Sequence, residues 1–403
     1  MKAFDNIKLF FTRLTEGIID EIKTIGTSYA IVLVLMGGIF VYGLLYNYMY
    51  APNEVTNAPI AVVDKSKTPL SREIIQMLDA TPELMVRTDA LGYYEAQELM
   101  KRNEIVGIIY IPHQFETKIQ RGEEALFTTY QTTTAFLYYL AIQKATSFVM
   151  LTINDQIRPD QLVFLPSKDA PAMAQAQSPV SVVGQALYNY TEGYGTYLIP
   201  AVLMVIIFQT LMMVIAMISG EEKETNHILK YKYALTSKSG IVQVILSKTM
   251  TYGLLYALFS FFLLGLMPVI FDLPNIGKTM DIVHLLIPYL LASSFFGLAA
   301  SVFYTDSDAP ILMIAFFSVG LIFLSGVSYP LELMPWYWRV AHFIFPAAPG
   351  TLAFVKINSM GAGISEISVE YITLWIQCIV YFILACWAYR YNIRKAVKKE
   401  TLK

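Results

Sequence analysis

Long apolar stretches separate polar segments along the whole chain. A membrane span requires about 20 mostly apolar residues, because the hydrocarbon core of a bilayer is about 30 Å thick. Each stretch of this length contains few or no ionisable residues, and tyrosines and tryptophans gather at several ends, as they do at membrane interfaces. The pattern predicts an α-helical polytopic membrane protein with six transmembrane helices, at about residues 29–50, 196–219, 247–271, 284–304, 309–329 and 370–390.

One further apolar stretch, residues 133–153, allows a rival topology with a seventh span. Gln143 and Lys144 would then lie near the middle of the membrane, where a charged side chain is costly. A seventh span would also place the basic C-terminal tail outside the cell. We therefore predict that this stretch is a long helix of a domain outside the membrane, with the seventh span as the alternative.

One polar segment, residues 51–195, is long enough to fold in water between the first and second spans. Its β-rich runs alternate with helical ones, which predicts an inserted extracytoplasmic α/β domain. The predicted strands are Ile60–Val63, Leu84–Arg87, Ile105–Ile111 and Leu126–Thr129. The predicted helices are Pro69–Leu78, Leu91–Arg102, His113–Gln120 and a long helix through residues 133–157. Residues 158–190, which contain several prolines, are interpreted as an irregular return linker.

Lysine and arginine residues are concentrated in three polar segments, namely the amphipathic N-terminal helix 1–28, the loop 220–246 and the tail 391–403. The connections 272–283 and 331–369 contain few of them. Because cytoplasmic segments carry the excess of basic residues, both termini are predicted to be cytoplasmic. The short acidic turn Thr305–Asp308 does not fit this rule.

The composition and the short motifs exclude several classes of function. Hydrophobic residues make up 56% of the 403 residues and charged residues only 15%, whereas soluble proteins contain about 25% charged residues. The formal net charge of −2 offers no basic excess for nucleic acid. Gly277-Lys278-Thr279 resembles the end of a phosphate-binding loop, but Asp272 stands where that motif requires its first glycine. With no zinc-like histidine pair and no apparent catalytic set, we predict no catalytic residue, metal or cofactor in this chain.

The loop after the second predicted span opens with an acidic cluster, formed by Glu221, Glu222, Lys223 and Glu224. Three carboxylates within four residues are typical of a helix N-terminus, where the helix dipole stabilises negative charge. The other interpretation is a docking helix that contacts a cytoplasmic partner protein. Spacing alone does not choose between the two.

The segment after the fifth predicted span is apolar but is interrupted by prolines. Its defining residues are Pro330, Pro335, Trp336, Pro346, Pro349 and Gly350. An external segment this apolar is not a plain loop. Residues 331–369 are therefore predicted to contain short helices half-sunk in the outer membrane interface and held there by Trp336 and Trp338.

These motifs, in this order, resemble the type-2 ABC transporter permease superfamily, in its branch with a large extracytoplasmic insert. Matching residues near the fifth and third spans are Ser325-Gly326, Pro330, Pro335, Trp336 and the pair Ser247-Lys248. Pro59–Asp64 and Ile111–Phe115 resemble segments of large-insert relatives. The resemblance extends over essentially the whole chain. Thr225-Asn226 departs from the usual Gly-Thr after the acidic cluster, and a proline common near Ser237 is missing.

The resemblance implies the permease subunit of an ATP-driven exporter in the inner membrane. Two permease chains, identical or paralogous, would face each other above two cytoplasmic ATPase subunits that bind ATP and Mg²⁺. The family analogy adds a periplasmic adaptor and an outer-membrane channel as further partners. The 220–246 loop and the 1–28 helix would transmit the movement of the ATPase.

A drug, lipid or other small molecule would then pass between the two permeases along the second and fifth spans. Four polar residues are candidates for this path, namely Gln209, Thr210, Ser318 and Ser325. Polar packing between helices would explain the same residues. The main alternative function is a non-transporting receptor or scaffold whose external domain binds a partner. An intramembrane enzyme has little support, since the spans contain almost no acid–base residues.

Overall fold

The computed structural model describes residues 2–50, 54–87, 92–121, 123, 125–131, 136–163, 193–237 and 239–401. The chain forms two compact units. The first, here called the membrane unit, comprises Met1–Ala51 and Gly195–Lys403, and the second, here called the inserted domain, comprises Pro52–Tyr194. Most of the predicted linker 158–190 lies outside the described residues.

The chain begins with two helices that meet at Ser28. Helix α1, Lys2–Thr27, is amphipathic and buries Ile25. Ser28 adopts an extended conformation, with φ −85° and ψ 106°, which separates α1 from α2, Tyr29–Met49. A π-helical segment, Met36–Val41, lies within α2. Helix α2 coincides with the first predicted span.

The inserted domain contains a four-stranded sheet. Its elements in chain order are β1 (Ala58–Asp64), α3 (Pro69–Asp79), β2 (Leu84–Arg87), α4 (Tyr93–Lys101), β3 (Gly107–Ile111), α5 (Phe115–Gln120), β4 (Thr128–Gln131) and α6 (Phe136–Val163). The strand order is β2-β1-β3-β4. β1 pairs in parallel with β2 and β3, and β4 pairs antiparallel with β3. These strands and helices lie close to the positions that the sequence predicts.

Strand β1 is central and contributes to two cores, because successive side chains of a strand point to opposite faces of the sheet. Ile60 and Val62 lie in a core with residues of α3, α5 and α6. Ala61 and Val63 lie in a second core with Ala96 of α4. Helices therefore cover both faces of the sheet.

Helix α6 corresponds to the stretch that could be a seventh span, and its segment Phe136–Asn154 is long and apolar enough to cross a membrane. One face of α6, however, is packed against the sheet. That face consists of Ile142, Ala145, Val149 and Ile153. Lys144 Nζ lies 3.4 Å from Glu83 Oε1 of the same domain. α6 also continues to Val163, so the first residues of the predicted linker are helical.

Seven further helices lie in the described residues from Tyr194 onward. They are α7 (Tyr194–Glu224), α8 (Gly240–Ile270), α9 (Thr279–Ala300), α10 (Ala309–Leu324), α11 (Trp336–His342), α12 (Ala347–Met360) and α13 (Ser368–Thr401). Short 3-10 helices occupy His227–Leu235, Ser301–Phe303 and Leu331–Leu333. A π-helical segment, Phe261–Leu266, lies within α8.

Five helices of the membrane unit, α2, α7, α8, α9 and α13, are long and apolar enough to span a bilayer, and each matches a predicted span. The predicted fifth span, 309–329, is shorter in the structure. Helix α10 has 16 residues, which gives about 24 Å of rise against a hydrocarbon core of about 30 Å. It ends before Gly326, whose φ of 87° lies in the left-handed region that glycine tolerates best. These helices make the chain a multi-pass membrane protein.

Helix α7 lies at the centre of the membrane unit. Of its most apolar 18 residues, 94% are buried inside the protein, against 28% for α13. The Tyr289 hydroxyl of α9 donates a hydrogen bond to the Met204 carbonyl of α7 at 2.8 Å. Helix α7 is therefore enclosed by other helices of its own chain.

The proline-interrupted segment forms α11 and α12, which meet at a bend of 82°. Helix α11 exposes Trp336, as expected for an interfacial helix. Helix α12 differs from the expectation of half-sunk helices, because it is buried in the membrane unit. An added Cβ on Gly350 would overlap the ring of Tyr289, so glycine permits this close approach.

Candidate functional site

Three ionisable residues are buried where α1, α7 and α8 meet. Lys248 of α8 is 1% exposed, Glu21 of α1 is 1% exposed and Glu222 of α7 is 4% exposed. Lys248 Nζ lies 2.8 and 2.7 Å from the two Glu21 carboxylate oxygens and 3.0 Å from Glu222 Oε1. We call these three residues the Lys248 cluster. Its ammonium group is held between two carboxylates that come from two other helices.

Buried tyrosines surround the Lys248 cluster. Tyr231 donates a hydrogen bond to Glu222 Oε1 at 3.1 Å, and Tyr252 donates one to Glu21 Oε1. Burial raises the pKa of the Tyr231 hydroxyl well above its ordinary value, so this hydroxyl stays protonated and continues to donate. Lys248 Nζ lies 5.6 Å from the ring centroid of Tyr231, within the range of a cation–π contact.

The charges of the cluster do not balance by themselves, since two carboxylates face one ammonium group. Lys230 Nζ lies 3.9 Å from Glu222 Oε1 and its side chain is 36% exposed, so it supplies a second positive charge at the margin. Among the described residues, Glu222 Oε2 has no hydrogen-bond partner. Removing one partner of a buried ion pair typically costs about 3–5 kcal/mol, because the other charge stays buried without compensation.

The C-terminal end of α7 is also joined to the turn between α9 and α10. Lys223 Nζ donates hydrogen bonds to the Tyr304 carbonyl at 2.7 Å and to the Ser301 carbonyl. An added Cβ on Gly220 would overlap the backbone of Asp306, so only glycine allows this approach. The end of α7 therefore contacts α1, α8 and the turn after α9.

The carboxylate spacing predicts that the acidic cluster begins a helix, but in the structure the cluster ends one. Glu221, Glu222 and Glu224 are at the C-terminal end of α7, where the helix dipole disfavours negative charge. Lys248 and Lys230 offset this cost at Glu222. The helix N-terminus interpretation is therefore wrong.

The four predicted coupling residues have different surroundings. Glu222 is buried, Glu221 and Lys223 are half-buried and Glu224 is exposed. Glu222 is thus not available at the surface for direct contact with a partner protein. A coupling role for this segment stays a prediction, and the contact that the structure shows for Glu222 is with Lys248.

The predicted path residues are mostly engaged with their own helices. Thr210, Ser318 and Ser325 donate to the carbonyls of Ile206, Ala315 and Ile322, as polar residues packed between helices commonly do. Gln209 is half-buried. Because α7 is enclosed by its own chain, its path residues do not form a face open to a second permease in this arrangement.

The residues predicted for the external helices separate into two groups. Pro330, Pro335 and Trp336 lie at the beginnings of the 3-10 helix Leu331–Leu333 and of α11. Pro346, Pro349 and Gly350 are buried, at the start of α12 or in its first turns.

Sequence reasoning noticed Lys248 through its family pair and as a basic residue after the second predicted span, and it missed Glu21. The signal in the sequence that points to Glu21 is its spacing from apolar residues of α1. Leu14, Glu21 and Ile25 are seven and four residues apart, which places them on one face of α1, and all three are buried. A carboxylate on the apolar face of a helix indicates a buried partner of opposite charge. Lys248 is the charged residue within the apolar helix α8 that meets this need.

In the part of the chain that the structure describes, no group of three or more histidine, cysteine, aspartate or glutamate residues could hold a metal ion. The Lys248 cluster links α1, α7 and α8 through buried charges.

Comparison with known proteins agrees with this description. Searches of curated proteins and of solved structures yield no match. The family model described as ABC-2 family transporter protein matches residues 29–387, which is most of the chain and includes both the inserted domain and the helices around α7. The chain belongs to the ABC-2 family of transporter proteins, as a membrane permease of an ABC transporter.

Proposed function

We propose that this permease is the membrane subunit of an exporter in the inner membrane, driven by ATP hydrolysis in separate cytoplasmic subunits. The observation that carries the proposal is the Lys248 cluster, which ties together α1, the acidic end of α7 and the start of α8. These elements are the ones that the distribution of basic residues predicts to be cytoplasmic. They are also the ones that an ATPase bound below the membrane would reach.

The surface beside the cluster supplies the contact for the ATPase. Glu224, Thr225, His227 and Lys232 are exposed around the start of the 3-10 helix His227–Leu235. Tyr231 lies in the same 3-10 helix and donates to Glu222. A movement imposed on the exposed face of this helix would pass through Tyr231 and Glu222 to Lys248, and from there to α1 and α8.

The remaining partners and the cargo in this proposal are inferred from the family to which the chain belongs. A second permease copy or paralogue completes the transport pathway for a drug, lipid or other small molecule. The inserted domain lies outside the cytoplasm, where a periplasmic adaptor and an outer-membrane channel would receive the cargo. ATP and Mg²⁺ bind to the partner ATPase.

The first experiment compares the purified permease with the permease coexpressed with any ABC ATPase that a neighbouring gene encodes. The permease alone is expected to hydrolyse no ATP, and hydrolysis is expected only when the ATPase copurifies. Sustained ATP turnover by the isolated chain would contradict the proposal. Failure of any neighbouring ATPase to copurify would instead favour the receptor or scaffold alternative.

The second experiment tests transmission with Lys248→Met. The complex is expected to assemble but to lose the coupling between transport and ATP hydrolysis, because α1 and α7 are no longer joined through one ammonium group. Lys101→Met is the matched control, since Lys101 forms an exposed ion pair with Glu98 in the inserted domain. Normal coupled turnover of a folded Lys248→Met complex would show that the cluster does not transmit movement.

A further inference from the structure

A groove with a volume of about 520 Å³ lies between α8 and α9. Its α8 wall runs from Gly253 to Val269, its α9 wall runs from Thr279 to Leu291, and Asn275 lies at the connection between the two helices. We call this the α8–α9 groove. Its volume lies within the range of about 300–1,000 Å³ that is common for small-molecule sites. It shares no residue with the Lys248 cluster.

The surroundings of the groove are those of a lipid site. Both walls belong to helices that are long and apolar enough to cross a membrane, and the groove is open along one side. Most of its lining residues are apolar, such as Leu286, Ile287 and Leu290. The open side of a groove between two membrane helices faces the hydrocarbon core of the bilayer. A lipid acyl chain is therefore the molecule that contacts it.

The length of the groove corresponds to one leaflet. Thr279 and Leu291 are 12 residues apart on α9, which gives about 18 Å of helical rise. The hydrocarbon core of a bilayer is about 30 Å thick, so one leaflet accounts for about 15 Å of it. A single acyl chain that enters from the α8–α9 connection would therefore follow the groove along most of its length.

The end of the groove at the connection is polar and held in place. Asn275 and Thr279 line it, and the exposed Lys278 precedes Thr279. The Ile276 amide donates to the Asn358 carbonyl of α12 at 2.9 Å. The Gly277 amide donates to Asn275 Oδ1 at 3.0 Å. A positive charge beside polar side chains at the membrane interface suits a phosphate head group.

Two further features of the α8 wall are compatible with a bound acyl chain. A Cβ added at Gly253 would meet no other atom within 4 Å, although small residues on membrane helices usually serve to bring another helix close. The adjacent π-helical segment, Phe261–Leu266, is a feature frequent at functional sites.

We propose that the α8–α9 groove binds a membrane phospholipid. One acyl chain lies along the apolar walls, and the head group lies at the end formed by Asn275, Lys278 and Thr279. This lipid site shares no residue with the four predicted path residues and does not depend on what the permease exports.

The test uses the full-length protein in vesicles of phosphatidylethanolamine and phosphatidylglycerol that contain a phospholipid with a photoreactive diazirine on its acyl chain. After illumination, labelled peptides are identified by mass spectrometry. In the wild type, labelling is expected to concentrate in residues 253–269 and 279–291 relative to α10. Equal labelling of the groove and of α10, which also exposes apolar residues, would overturn the proposal.

Gly253→Leu fills the groove with a side chain that has space to fit, and it is expected to abolish the concentrated labelling. Gly320→Leu is the matched control, because a Cβ at Gly320 on α10 also meets no atom within 4 Å, and its labelling is expected to match the wild type. Ala257→Leu repeats the test if Gly253→Leu does not yield monodisperse protein. Retained groove labelling in either folded groove variant would refute the site. Labelling of the groove by a photoreactive free fatty acid, but not by the phospholipid, would refute the choice of ligand.

Discussion

The inserted domain and the membrane unit both bury apolar residues, but they differ in the charged residues that they bury and in the apolar residues that they expose. In the inserted domain, both cores on the two faces of the sheet consist of apolar side chains. The membrane unit exposes large apolar residues, such as Phe316 at 86%, and buries Glu21, Glu222 and Lys248. A domain in water is stabilised by removing apolar surface from solvent. A bundle in lipid gains little from that, so its polar contacts lie where the helices meet.

The sharpest test of this comparison asks whether the two units face different compartments. In a background with Cys378→Ala and Cys386→Ala, single cysteines replace three exposed residues, namely Arg102, Ser365 and Lys232. Arg102→Cys and Ser365→Cys are expected to react with a membrane-impermeant thiol reagent in intact cells. Lys232→Cys is expected to react only after lysis.

Reaction of Lys232→Cys in intact cells, at the same rate as Arg102→Cys, would reverse the predicted orientation or show that both segments lie on one side.

The next largest effect is expected at the buried charges. Lys248→Met leaves two carboxylates buried without their counter-ion, so we expect a loss of about 3–5 kcal/mol in stability. The measurement is the temperature at which half of the detergent-solubilised protein leaves the monodisperse peak in size-exclusion chromatography. Lys101→Met is expected to leave this temperature unchanged, because exposed ion pairs contribute little.

A triple variant distinguishes lost charge balance from lost packing at Lys248. Combining Lys248→Met with Glu21→Gln and Glu222→Gln removes every charge of the cluster, and is expected to recover part of the stability. A triple variant as unstable as Lys248→Met would show that the shape of the lysine side chain, and not its charge, stabilises this junction.

A comparable test in the inserted domain concerns α6. Ile142 is 1% exposed and lies in the core beside the sheet, so Ile142→Ala is expected to destabilise the domain by about 2–5 kcal/mol. Leu140→Ala on the same helix is the control, since Leu140 is 45% exposed. Pulse proteolysis of the full-length protein in urea measures both. Equal effects of the two substitutions would favour the seventh span over a domain helix.

The smallest effect is expected at the start of α3. Thr68 Oγ1 accepts a hydrogen bond from the Ser71 amide at 3.3 Å, and Ser71 Oγ accepts one from the Thr68 amide at 3.0 Å. Thr68→Ala removes half of this capping box and is expected to cost about 1 kcal/mol. The same pulse proteolysis detects it, and Thr68→Ser, which retains the hydroxyl, is expected to behave as the wild type.

The sequence predicts the inserted domain well because its signals are local. Alternating side chains of β1 and the helical runs between strands need no knowledge of distant residues. The acidic cluster was misplaced because the change from apolar to polar residues after Ser219 resembles a helix boundary. Helix α7 continues past it, since Gly220 packs against Asp306 and Glu222 pairs with Lys248. Both partners are far away in the sequence.

The sequence does not predict the short length of α10 or the burial of α12, for a related reason. Apolar composition indicates which residues avoid water, but it does not tell whether lipid or protein replaces the water. Gly350 reveals the difference only through its closeness to Tyr289, a residue of another helix.

The central position of α7 has a consequence for how the protein is made. The helices α8, α9 and α13, which follow α7 in the chain, are synthesised after it, and chains fold from the N-terminal side during synthesis. Helix α7 is the most apolar of the candidate spans in the described residues, and it enters the bilayer before those neighbours exist. Its extreme apolarity therefore serves an early stage, when lipid covers the faces that α8, α9 and α13 later occupy. In the finished protein the same residues are covered by helices that arrived later.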